Sequence, residues 1–169
     1  LMVNVDYLNI DTNKVGTTFT STGKLGYNLP ATYSQGIGFT YNSSDSYLSC
    51  GGFMAGISNS KVSDNIYGTT QGSFDNDFKS VQMAAKIPNL LNADLTAACI
   101  FNDSLASSST RLNITVKNKV YAWDSVPYDK FIILEYVIIN HGTVALTPFY
   151  AGLYMDFNMS PDAAARDRI

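Results

Sequence analysis

An all-β fold, an antiparallel β-sandwich with at most one or two short helices, is what this sequence predicts, and three observations carry the prediction. The acidic residues are 13 Asp against a single Glu. Ser, Thr and Asn number 17, 14 and 15, while Tyr plus Phe reach 20. Helix surfaces are built from Glu, Lys, Arg and Ala, whereas Asp, Asn, Ser and Thr compete for backbone hydrogen bonds and favour turns and caps. Aromatic side chains, for their part, fit a pleated, half-buried surface. Third, residues 111–123 keep a period of two: Leu112, Ile114, Val116, Val120 and Ala122 point one way, and Asn113, Thr115, Lys117 and Lys119 the other. That is a strand with one wet face.

The remaining elements follow along the chain. Strands are expected at residues 3–10 and 17–22, ahead of a turn cluster at Gly23, Gly26 and Pro30, and again at residues 36–41. Residues 42–46 turn the chain into a strand at 48–57. There Gly51, Gly52 and Gly56 among Phe53, Met54 and Ile57 indicate close backbone approach or a bulge. Residues 59–61 and 68–72 read as loops. Over residues 82–98, Met83, Ala84, Ala85, Leu90, Leu91, Ala93 and Leu95 could ride a helix, but Pro88, Asn89 and Asn92 limit it to a short one. Residues 131–140 are apolar on both faces, the pattern of a central strand covered on both sides, so Glu135 requires a cation or hydroxyl partner or a place near a rim. A hairpin turn at Asn140, His141 and Gly142, with Gly142 at positive φ, leads to a last strand at 146–157 with Pro148 at its start. The tail, residues 160–169, has material for one helical turn around Ala163 to Ala165. No closing strand follows it, the pattern of a domain that continues further.

Size and charge bound the function. With 169 residues, one domain spanning 1–169 is expected, burying about 70% of its extended surface. A net charge of −3 lacks the basic footprint of a phosphate-backbone binder, so nucleic acid is not an expected partner. No apolar run reaches the roughly 18 residues a membrane-spanning helix needs. The chain starts at Leu1 with no initiator Met and no basic-plus-apolar leader, the pattern of a processed protein or of a fragment of a longer secreted one.

Cys50 and Cys99 are the only cysteines and His141 the only histidine, too few for a structural zinc site. In an oxidising compartment Cys50 and Cys99 could form one disulfide; the alternative is two thiols buried in strands. Four other groupings bear on chemistry. Asp156, Asn158 and Asp162, following the last strand, and Asp75 and Asp77 have the oxygen-rich character that suits Ca²⁺, although turn capping explains Asp and Asn in loops equally well. Glu135 could serve as the acid of a glycosidase, but no second acid is fixed opposite it. Tyr121, Trp123 and Tyr128, with Tyr150 and Tyr154, could stack on a glycan or a partner domain, or simply fill space between sheets. The segment Asn140-His141-Gly142-Thr143-Val144-Ala145 is similar to the histidine signature of subtilisin-like peptidases, yet it lacks the second His. The sequence has no Gly-Thr-Ser-Met-Ala nucleophile motif, and Ser160 is the only serine after His141.

A wider likeness rests on Val120-Tyr121-Ala122-Trp123, on residues 131–140 and on Phe149-Tyr150-Ala151-Gly152-Leu153-Tyr154-Met155-Asp156-Phe157-Asn158. Residues 36–41, 51–56 and 62–64 add to it. Together they resemble a β domain found downstream of the catalytic domain in secreted subtilisin-like peptidases and related exported bacterial proteins. The resemblance implies export to the cell surface or medium, an accessory role beside a catalytic domain of the same polypeptide, and no catalysis by these residues. Asp156-Phe157-Asn158 stands where that pattern has Asp-Trp-Asp, which weakens a cation site there. A carbohydrate-binding module of an extracellular protein is the alternative.

Overall fold

The computed structural model describes residues 5–66, 68 and 73–157. It is all-β, and the described residues form eleven strands in two antiparallel sheets and one 3₁₀ turn at Pro30–Thr32. The larger sheet holds β1 (Tyr7–Ile10), β2 (Val15–Thr20), β3 (Lys24–Leu25), β4 (Phe39–Tyr41), β5 (Leu48–Ser58), β6 (Lys61–Asp64) and β11 (Tyr150–Phe157). Its main path runs β1-β2-β3-β5-β11, with β4 on β2 and β6 on β5. The smaller sheet is a meander ordered β10-β9-β8-β7, from β7 (Lys79–Lys86), β8 (Leu95–Asn102), β9 (Ile114–Ala122) and β10 (Ile132–Asn140).

The core lies between the sheets because each strand's alternate residues face inward. Phe19 and Phe53 from the larger sheet meet Phe101, Ile114, Val116 and Val120 from the smaller one, all essentially inaccessible. Phe53 anchors this layer, lying 5.9 Å from Phe78, 6.0 Å from Phe101 and 4.9 Å from Tyr136 between ring centroids. Aromatic pairs at such spacings add about 0.5–1.5 kcal/mol beyond their burial. The glycines of β5 act as anticipated: a Cβ on Gly52 would fall 2.7 Å from the carbonyl oxygen of Gly23 and against Ile66.

Two expectations need correction, and two readings left open are decided. Residues 82–98 form no helix: β7 runs to Lys86, a turn holds Pro88 and Asn89, and β8 begins at Leu95. Register shifts between Ser80 and Ala85 bring Ala84 and Ala85 both inside, and this bulging disguises the strand as a helical pattern. Within residues 131–140, β10 is an edge strand, since among the described residues it pairs only with β9. Gly142 is not among the residues with positive φ, and β10 and β11 lie in different sheets, so no hairpin joins them. The turn is held instead by Asn140, whose Oδ1 accepts from the Gly142 N–H at 2.8 Å. Lastly, Cys50 and Cys99 are both free, buried thiols. Cys50 shares a face of β5 with Gly52 and Met54, opposite to Phe53, whereas Cys99 belongs to the inter-sheet core, so the larger sheet separates them. Burial pushes the thiols up, to about 11 for Cys50 and about 12 for Cys99.

Candidate functional site

Of the residues singled out for a partner surface, Tyr121, Trp123 and Tyr128 converge at one end of the smaller sheet, whereas Tyr150 and Tyr154 lie on β11 of the larger one. β9 ends in Tyr121 and Ala122, and the chain then loops from Trp123 to Phe131 before entering β10. This loop is pinned at several points. Lys14 Nζ bonds Asp129 Oδ2 at 2.7 Å, and the Lys14 N–H donates to the Asp129 carbonyl at 2.9 Å. Asn13 Nδ2 donates to the Phe131 carbonyl at 2.8 Å, and the Asp124 N–H donates to Asp94 Oδ2 at 2.9 Å. The hydrogen bond from Lys14, opposed by desolvation, holds the Asp129 carboxyl below the usual range.

On this scaffold Trp123 packs 6.4 Å from Tyr128 and 6.0 Å from Phe131, and Tyr128 meets Phe131 at 6.2 Å. Val126 (76% exposed) and Tyr128 (52%) stand in solvent beside them. Trp123 Nε1 reaches the carbonyl of the exposed Leu91 at 3.4 Å. The ring planes are inclined by 49° to 86°, so the surface is corrugated and apolar. Tyr121 departs from expectation: at 2% exposure it is buried, stacked under Trp123 at 6.4 Å.

Glu135 has the partners its strand demanded. It accepts a short hydrogen bond from the Tyr121 hydroxyl and lies 3.5 Å from Lys119 Nζ. The Tyr121 bond first, then Lys119, keep the Glu135 carboxyl below the usual range, while desolvation works against them. Burial, reinforced by Glu135, pushes the Tyr121 hydroxyl up to about 12. A glycosidase acid needs its proton held to higher pH, and this carboxyl is tuned the other way. No second acid joins it among the described hydrogen bonds and ion pairs.

His141 lies apart, its Nε2 3.0 Å from Thr115 Oγ1 and its N–H donating to the Asn113 carbonyl. Of the calcium candidates, Asp156 sits in β11 opposite Cys50, while Asn158 and Asp162 lie outside the described residues. Asp77 accepts from the Asp64 N–H at 3.2 Å. Burial raises Asp75 and Asp77, and the nearby Asp64 charge adds to both. Among the described residues no group of three or more His, Cys, Asp or Glu side chains is arranged to hold a metal ion.

Two features escaped the sequence. Asp103 is a buried clasp: Oδ2 accepts from the Leu112 and Asn113 N–H groups at 2.5 and 3.0 Å, and Oδ1 from that of Ile114 at 2.9 Å. Asp94 and Asp124 form a carboxyl pair beside Trp123, and hydrogen bonding to Asp94, followed by its charge, raises Asp124. The β8–β9 register, with Leu95 opposite Ala122, creates that pair, and it becomes visible only once the strands are aligned. No family model, curated protein or solved structure matches the chain. Among the described residues no helix is long and apolar enough to cross a membrane.

Proposed function

We propose that this chain is a non-catalytic accessory β-sandwich of a secreted, subtilisin-like peptidase, positioning a catalytic domain of the same polypeptide through the patch of Trp123, Val126, Tyr128 and Phe131. The observation that carries this reading is the exposure of large apolar side chains on a loop that five contacts hold rigid. Docked aromatic anchors of this kind concentrate binding energy, each worth about 2 kcal/mol or more when truncated. A preformed loop also loses little entropy on docking. The way Tyr121 and Lys119 hold Glu135 ionised supports a structural role for that acid.

Carbohydrate binding is the second reading, favoured by the part-exposed Trp123 and Tyr128. The mutual tilt of the rings weighs against it, because a pyranose face stacks on a single plane, whereas a corrugated surface interlocks with side chains of a protein.

The test uses the exported polypeptide that carries this chain. Replacing Tyr128 and Phe131 together by Ser lowers the thermal midpoint of the catalytic neighbour and leaves that of the isolated β domain nearly unchanged. An unchanged neighbour would overturn the docking role, and heat released on titration with oligosaccharides, lost in Trp123→Ala, would establish the glycan reading. Loss of peptide or glycoside hydrolysis in Glu135→Gln would contradict the non-catalytic assignment.

A further inference from the structure

The apolar patch of Trp123, Val126, Tyr128 and Phe131 is bordered by negative charge that no cation answers among the described residues. Asp124 follows Trp123 directly, and its N–H donates to Asp94 Oδ2 at 2.9 Å. Asp94 is fixed in turn: its N–H donates to the Ala122 carbonyl at 2.9 Å, and its own carbonyl accepts from Asn89 Nδ2 at 3.1 Å. Backbone register therefore holds the two exposed side chains together. Their closeness shows in Asp124, raised first by hydrogen bonding to Asp94 and then by its charge.

The lysines of this region act elsewhere. Lys14 bonds Asp129, the charge of Lys130 falls on the same Asp129, and Lys119 lies against Glu135. Asp94 and Asp124 belong to neither of the described salt bridges. A metal ion does not suit the pair, because calcium takes six to eight oxygens and no third acidic side chain joins the two among the described residues. What the pair offers is two acceptor groups at the edge of an aromatic surface.

We propose, resting on the docking role above, that the partner surface presents an arginine flanked by apolar side chains, its guanidinium forked onto Asp94 and Asp124 and lying against Trp123. Charge complementarity selects a cation, and the neighbouring indole selects its kind. A guanidinium is planar, carries its donors in a fixed fork that matches carboxylates, and is weakly enough hydrated to lie on an aromatic face. An ammonium is a compact, strongly hydrated point charge and fits this combination less well. Val126, Tyr128 and Phe131, exposed beside the indole, take the apolar flanks.

Trp123 is the only tryptophan of the 169 residues, so its emission reports on the site directly. The intact chain is titrated with acetyl-Leu-Arg-Leu-amide, and with the same peptide carrying citrulline or lysine in place of arginine. The expected result is a saturable change in emission with the arginine peptide at millimolar concentration. Citrulline, equal in shape but uncharged, binds about tenfold more weakly, the loss of one charge-assisted contact, and lysine falls between. Asp94→Asn combined with Asp124→Asn keeps an oxygen for the N–H of residue 124 and removes the charge. It weakens the arginine peptide about tenfold and leaves the citrulline peptide unchanged. Absence of saturation would overturn the proposal, as would equal binding of the citrulline or lysine peptide, or an arginine affinity untouched in the double variant. Should the arginine contact fail while serine at positions 128 and 131 still lowers the thermal midpoint of the catalytic neighbour, the docking role stands without it. An unchanged midpoint strikes the docking role itself.

Discussion

β9 and β10 lie side by side, paired from Ile132 opposite Ala122 to Asn140 opposite Ile114, yet they meet the solvent differently. β9 has a neighbour on each edge, and its inward Ile114, Val116, Val120 and Ala122 are sealed while Lys117 stays in water. β10 is apolar on both faces but sits at the sheet edge, with Ile133 and Val137 exposed on the outer face. A period of two therefore reports a strand whose wet face is truly wet. Unbroken apolarity reports only a demand for cover, and here the fold leaves part of it unmet. The proposed docking patch borders β10 through Phe131, the residue before its first.

The contrast can be broken at β9 first. Asp103→Ala leaves the N–H groups of Leu112, Asn113 and Ile114 without an acceptor. At about 1–3 kcal/mol for each orphaned buried donor, the expected loss is about 3 kcal/mol or more, read from urea unfolding. Ile114→Ala, at a sealed position, costs about 2–5 kcal/mol. Its counterpart on β10, Ile133→Ala, stays within about 0.5 kcal/mol. Equal losses for Ile114 and Ile133 would remove the distinction between the two strands.

Smaller effects sharpen it through pH. Glu135 has a lowered carboxyl value in the folded chain. Its contribution is fully present above the ordinary carboxyl range and is lost as pH falls through the lower folded value. Glu135→Gln therefore flattens the acid side of a stability–pH curve. Asp77 has the opposite sign: its raised folded value makes stability fall as pH rises through that value, and Asp77→Asn removes this fall. Exposure limits both to small changes.

Much of this was legible in the residues. The imbalance of Asp over Glu and the alternation through Val116 and Val120 identified an all-β fold, and a lone Glu135 among aliphatic residues demanded partners that Tyr121 and Lys119 supply. Trp123 and Tyr128 were recognisable as surface aromatics. Tyr121 was not recognisable as buried, because its cover comes from Trp123 folding back over it. Strand order was equally hidden: nothing local in residues 131–140 says that only one neighbour is present. Asp103 reads as one more turn acid until residues 112–114 are brought against it. In each case the missing information is a contact between distant segments, which periodicity does not encode.

Native-state hydrogen exchange of the isolated chain is the most direct test of an uncovered rim beside a sealed core. The amides of β8 and β9 should exchange only through global unfolding, while those of β11 and the amides of β10 turned away from β9 exchange much faster. Protection along β10 and β11 equal to that of β9 would mean that the rim is closed, and would contradict the uncovered edge at the centre of this account.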